Sequence, residues 1–245
     1  VSDGPDEPAG GSSDGAACGH VDAFVGLGAN RGDRLGTIEA CLHVLDDLDA
    51  TLVADVSAVY ETAPWGGVDD DGSERAVEQP AYLNAVVRLR TGLSPRDLLD
   101  ELLATEAAFG RDRDREERWG QRVLDLDLLL HGDTVVDDPP RLVVPHPRLH
   151  ERAFVLVPLL EVHPGGRLPD GTRLTRALLA LGPLEGIAMH VLLDELPGTG
   201  RLVERPEGPG GGPAVRAEDW VRQRPGPADD AGGGTGAAPG NGPGA

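Results

Sequence analysis

The stretch Arg118-Trp119-Gly120-Gln121-Arg122-Val123-Leu124-Asp125-Leu126-Asp127-Leu128-Leu129-Leu130 constrains the chain more than any other. Leu124 to Leu130 is apolar enough to be a buried strand, yet two carboxylates interrupt it. Side chains on a strand alternate faces, so Asp125 and Asp127 point one way while Leu124, Leu126 and Leu128 point the other, into a core. Two like charges on one face repel, and partly buried carboxylates are costly without a partner. A divalent cation removes both problems. Carboxylates holding Mg²⁺, with the rest of its shell left to phosphate oxygens and water, form a common phosphoryl-transfer arrangement. Arg118 and Arg122 lie just before the aspartates, and Arg111, Arg113 and Arg115 precede them. Guanidinium groups bind phosphate bidentately and keep their charge. The bland alternative is a capped strand beside a solvated charged loop; the Arg-Trp-Gly-x-Arg prefix weighs against it.

Charge narrows the function further. The formal net charge is −20, and all 22 basic residues are arginine. Such a surface argues against general nucleic-acid or anionic-membrane binding. An anionic substrate then needs a local basic site, which the arginine cluster supplies. The absence of lysine excludes a Walker-type phosphate loop and any catalytic lysine. Cys18 and Cys41 form neither a metal-ligand spacing nor a disulfide framework. No apolar run has the length of a membrane span and no signal peptide is visible, so a cytoplasmic location is expected.

Along the chain, residues 1–20 and most of 184–245 are rich in Gly, Pro, Ser and acid, and are expected to be disordered tails around one domain at 21–183. Ala23 to Gly28 reads as a first strand. Gly26 to Gly32 nearly fits Gly-x-Gly-x-x-Gly, but its third glycine falls one residue late and no acidic residue ends a second parallel strand. A dinucleotide-dependent oxidoreductase therefore rests on a weak match. Leu35, Ile38, Leu42, Leu45 and Leu48 recur at helical spacing. Thr51 to Thr62 reads as one extended strand. Pro64, Gly66 and Gly67 mark a loop, and residues 69–78 an acidic insertion. Tyr82 and Asn84 share one face of the next strand, where a ring and a carboxamide suit a flat heterocycle. Ser94-Pro95 starts a second helix. Thr134 to Val136 reads as a short strand, Val155 to Val162 and Arg173 to Leu181 as later helices, and Met189 to Leu193 as a candidate strand.

Arg-Trp-Gly-Gln-Arg-x-x-Asp-x-Asp resembles the signature of the 6-hydroxymethyl-7,8-dihydropterin pyrophosphokinases of folate biosynthesis, with Gln121 where proline is usual. Gly26 to Asn30, Thr62-Ala63-Pro64, Tyr82-Leu83-Asn84, Glu106-x-x-x-Gly110-Arg111 and Val144-Pro145-His146 with Arg152 and Phe154 match further family motifs in order. The likeness spans roughly residues 22–181. The element order strand-helix-strand-strand-helix-strand fits an α+β, ferredoxin-like antiparallel sheet, and the resemblance implies helices packed on it as three αβα layers.

It also implies transfer of pyrophosphate from ATP to the hydroxymethyl group, with AMP released. Asp125 and Asp127 would hold two Mg²⁺, and Arg111 and Arg122 would be the catalytic cations. Thr62, Ala63, Trp65, Tyr82, Asn84 and Phe154 would bind pterin. Arg113, Trp119, Arg122, His146 and Arg152 would bind ATP, and Glu106 would anchor the arginine loop. The expected partners are these two small molecules, without nucleic acid or membrane, and the expected state is a monomer. A catalytically inactive nucleotide-binding relative is the alternative, since Gln121 could loosen the arginine loop.

Overall fold

The computed structural model describes residues 19–64, 79–111, 121–182, 184 and 186–193. Five strands and two helices build the frame: β1 (Val21–Ala29), α1 (Arg34–Asp46), β2 (Thr51–Val56), β3 (Val59–Thr62), β4 (Tyr82–Thr91), α2 (Pro95–Ala108) and β5 (Asp125–His131). A short hairpin of β6 (Val136–Asp138) and β7 (Leu142–Val144) follows, then α3 (Ala153–Val162), α4 (Leu174–Ala180) and β8 (Ile187–Val191). The main sheet runs β5-β1-β4-β3-β8, with β2 also paired to β4, and every pairing is antiparallel. That is the expected ferredoxin-like order.

The helices start where local chemistry directs them. Asp33 caps α1 by accepting the Gly36 N–H at 3.0 Å. Ser94 caps α2, with Pro95 in its first turn. The α1 side chains Ile38, Cys41, Leu42 and Leu45 and the α2 side chains Leu98 and Leu102 bury one sheet face. Each such leucine contributes about 1.5–3 kcal/mol of burial. Leu156, Leu159 and Leu160 of α3 and Leu174 and Leu178 of α4 cover the other face. Three layers result. Cys41 sits inside the first core, where burial, and secondarily Glu106, push its thiol up to about 12, so it behaves as a small apolar side chain. Among the described residues no helix is long and apolar enough to cross a membrane.

Three details depart from the sequence reading. The extended segment 51–62 is two strands laid end to end along β4. At the break the Ser57 N–H donates to Val86 O, and the Val86 N–H donates to Ser57 Oγ, both at 2.9 Å. The next N–H, of Ala58, donates to Glu161 Oε2 at 2.6 Å. The backbone groups that the break takes out of the ladder are thus satisfied by two side chains. The short strand expected near 134–136 lies at 136–138, paired with β7. Finally, β8 pairs with β3 through Tyr60 and Met189, so the sheet extends past the expected boundary at residue 183. The tail segments 1–18 and 194–245 and the acidic insertion lie outside the described residues.

Candidate active site

A cavity of about 380 Å³ opens on the α3 face of the sheet. Its floor is set by strand register. Gly28 on β1 pairs with Asn84 on one side and Asp125 on the other. Gly26 pairs with Val86 and Asp127. The two aspartates therefore stand at one end of the floor and Asn84 at the other, with glycine between them. Thr62, Ala63 and Tyr82 line the cavity with Asn84, while Arg122, Arg148 and Arg152 line it with the aspartates. Phe154, also in the lining, has the Arg152 guanidinium 5.6 Å from its ring centroid. Asn84 is fixed by donating from Nδ2 to Thr62 Oγ1 at 2.9 Å.

The carboxylates differ in their surroundings. Asp125 accepts from Arg111 Nη1 at 2.5 Å on Oδ1 and from Arg122 Nη1 at 2.6 Å on Oδ2. Burial alone would raise its pKa, but Arg122 and then Arg111 outweigh burial and hold it below the usual carboxylate range. Among the described residues Asp127 has a looser ion pair, with Arg152 Nη1 at 3.7 Å from Oδ2, and also feels the charges of His146 and Arg122. Burial first, and the Asp125 charge second, push its pKa up. Their side chains are 22% and 37% exposed, so both remain open to the cavity.

The supporting shell comes from both sides of the strand. Helix α2 ends in a Schellman turn, with Arg111 N–H donating to Glu106 O at 3.0 Å and Gly110 N–H to Ala107 O at 2.9 Å. Gly110 takes φ +88°, which favours glycine. The turn folds Arg111 back so that its Nη1 also donates to Glu106 Oε1. The same oxygen accepts the Leu126 N–H at 2.7 Å. On the other side, Asn30 is fully buried. Its Oδ1 accepts the Arg122 N–H at 2.7 Å, its own N–H donates to Arg122 O at 3.1 Å, and its Nδ2 donates to Gln79 Oε1 at 3.0 Å. Arg122 is thus clamped through its backbone by Asn30, whatever residue precedes it, and the exposed Gln121 leaves that clamp in place.

His146 is tied in by its N–H to Leu129 O at 2.9 Å. Its Nδ1 accepts the Arg148 N–H at 3.2 Å, so the neutral ring carries its proton on Nε2. Burial lowers its pKa, against the opposing pull of Asp127, and at neutral pH it is an uncharged donor.

Most of the candidate residues thus converge on one cavity. Arg111 is the exception in kind: it sits behind Asp125, 5% exposed, held by two carboxylates instead of lining the cavity. His146 is likewise not among the lining residues, but it stands close enough to Asp127 for each to shift the other's pKa. Trp65, Arg113 and Trp119 lie outside the described residues. Sequence reasoning gave no role to Arg148, Gln79 or Asn30. Asn30 stood inside a matched motif, but its long-range partners could not be read from its neighbours.

The family model for 7,8-dihydro-6-hydroxymethylpterin-pyrophosphokinase matches residues 24–164, more than half of the chain. The chain belongs to this family. The Pseudomonas aeruginosa 2-amino-4-hydroxy-6-hydroxymethyldihydropteridine pyrophosphokinase is 44% identical over 164 residues, covering 67% of this chain and 93% of that protein. The Methylorubrum extorquens protein of the same name is 41% identical over 161 residues, covering 66% and 94%. Among solved structures, wild-type Plasmodium falciparum HPPK-DHPS aligns with a TM-score of 0.48 at 14% identity, over 64% of this chain and 44% of that longer one. The cavity, the aspartate pair and the clamps on Arg111 and Arg122 all lie on the pyrophosphokinase segment or its immediate margin.

Proposed function

We propose that this pyrophosphokinase family member transfers pyrophosphate from ATP to 6-hydroxymethyl-7,8-dihydropterin at this cavity, as a step of folate biosynthesis. The observation that carries the reading is the row Asp125, Gly28, Asn84 across three neighbouring strands. It joins an anionic end suited to metal and phosphate to a polar and aromatic end suited to a flat heterocycle.

Asn84 and Thr62 would hydrogen-bond the pterin edge, with Ala63 beside them and Tyr82 and Phe154 supplying the aromatic faces. Arg122, Arg148 and Arg152, with the Nε2–H of His146, would hold the ATP phosphates. In the reaction the hydroxymethyl oxygen forms a bond to the β-phosphorus. The bond from that phosphorus to the α–β bridging oxygen breaks, AMP leaves with the electron pair, and the hydroxyl proton is released. Arg122 and Arg152 would neutralise charge developing on the transferred group. Arg111 would act through Asp125 by fixing that carboxylate, and catalysis would consist largely of positioning.

The donor set fits magnesium. Two partly exposed carboxylates share one strand face, with Asp127 pushed up by burial and then by the Asp125 charge, and among the described residues no third His, Cys, Asp or Glu joins them to close a site. Mg²⁺ characteristically takes one or two carboxylates and leaves the rest of its shell to phosphate and water. Asp125 and Asp127 would hold two such ions, which when bound offset phosphate charge and acidify the attacking hydroxyl.

The test is product analysis with ATP, Mg²⁺ and the hydroxymethyl-dihydropterin. AMP and pterin diphosphate in equal amounts support the reading. ADP, or no pterin-dependent product, overturns it.

A further inference from the structure

The centre of the cavity floor carries no side chain, and nothing in the fold explains why. Gly28 lies inside β1, between two paired strands, where a glycine weakens a sheet because it packs nothing and loses more backbone freedom than other residues. Its φ is not in the left-handed region that demands glycine. A Cβ built there would stand 3.6 Å from Asn84 Oδ1 and 3.8 Å from the Asp125 Cβ, both ordinary contacts. Gly36 shows the contrast: a Cβ there would fall 2.5 Å from the capping Asp33 Oδ2. The Asp33 cap thus crowds any side chain at position 36, whereas neither backbone nor packing calls for glycine at position 28. A bare strand position without a structural reason marks a close approach by a ligand or another chain, and Gly28 lines the cavity.

We infer that Gly28 is a specificity-determining position that keeps open the path of the substrate's one-carbon arm across the sheet, from a ring held at Asn84 to a hydroxyl delivered at Asp125. The inference rests on the function proposed above. Neighbouring strands lie about 4.8 Å apart, so Asn84 and Asp125 are roughly two spacings, or about 10 Å, apart along the row. A flat bicycle anchored at one end can bring a short arm to the other only by passing over the strand between them. A methyl group at position 28 occupies that passage while leaving both ends intact. It selects against the arm and not against the ring.

The experiment uses the 245-residue chain and its Gly28→Ala variant, with two ligands: 6-hydroxymethyl-7,8-dihydropterin and the same dihydropterin lacking the hydroxymethyl group. The expected thermal midpoint of the variant is equal to or above that of the parent, because alanine replaces a strand glycine. Its kcat/KM for the hydroxymethyl substrate is expected to fall on the order of 100-fold, the effect of displacing a reacting group by about 1 Å. Calorimetric affinity for the arm-less ring is expected to stay within about threefold. A lowered midpoint would assign the glycine to the fold and overturn the inference. So would near-parental turnover, or an equal loss of affinity for both ligands. If the parent chain itself makes no pterin-dependent AMP, the proposed function fails and the inference with it. An active parent with an equally active variant sinks the inference alone.

Discussion

Glu106 on α2 accepts the backbone N–H of Leu126, the residue between the two aspartates, at 2.7 Å. The same carboxylate binds Arg111, which reaches on to Asp125. One acid, 1% exposed, therefore sets both the strand and the cation behind the aspartate pair. Removing it leaves a buried N–H without its acceptor and a buried guanidinium with one carboxylate fewer. Glu106→Ala is expected to destabilise the protein by about 3–5 kcal/mol, the cost of breaking a buried pair, which lowers the melting midpoint by roughly 10 °C for a domain of this size. A melt shifted by less than about 2 °C would contradict this anchoring role.

The two aspartates should respond in opposite directions to amidation. Asp127 has a raised pKa, so its contribution to stability is fully present below its ordinary value of 3.8 and is lost as pH rises through the higher folded value. Asp125 has a lowered pKa, so its contribution is present above 3.8 and is lost as pH falls through the folded value. In chelator at neutral pH, Asp127→Asn should melt above the parent and Asp125→Asn below it. The Asp127→Asn advantage should shrink as pH is lowered toward 3.8. Identical shifts for both variants would show that Arg111 and Arg122 do not distinguish them.

Tyr82→Ala and Phe154→Ala each test the aromatic end of the cavity. Pterin binding should weaken by roughly 1–3 kcal/mol, the range for aromatic stacking on nucleic-acid bases, with ATP binding little changed. A calorimetric loss of ATP affinity in place of pterin affinity would move these residues to the other ligand.

Arg148 is exposed, lines the cavity, and adds its charge to the burial that lowers the pKa values of His146 and Arg152. Arg148→Ala should raise the KM for ATP about tenfold, or about 1.4 kcal/mol. Stability should stay within about 0.5 kcal/mol, as for an ordinary surface substitution. Unchanged ATP kinetics would remove Arg148 from the phosphate wall.

The parts of the fold that were legible in sequence are those set by local periodicity. Leu124, Leu126 and Leu128 enter the core under α1 and α2, opposite the aspartates, as alternation requires. Alternation then fails, since Leu129 and Leu130 both join the other core. The β1–β5 register slips between Phe24 and Val25, and no pattern within 124–130 encodes that slip. The break at Ser57 and Ala58 was hidden because its stabilising partner, Glu161, lies 103 residues from Ala58. β8 was recognisable as a strand, but its place beside β3 is a non-local pairing. At the site, residue types and motif order pointed to the aspartates, Tyr82, Asn84 and Phe154. Asn30's clamp on Arg122 and the burial of Arg111 depend on chain segments that only the fold brings together.

The most direct measurement is AMP release from ATP and 6-hydroxymethyl-7,8-dihydropterin by the parent chain and by Asp127→Ala, across a Mg²⁺ titration. The parent should form AMP only with both substrates and the metal. Asp127→Ala should stay folded yet lose several orders of magnitude in turnover, because a metal opposing phosphate charge contributes several kcal/mol to the transition state and each ~1.4 kcal/mol is tenfold. Near-parental turnover in Asp127→Ala would contradict the account, as would AMP formation by the parent that is indifferent to the pterin.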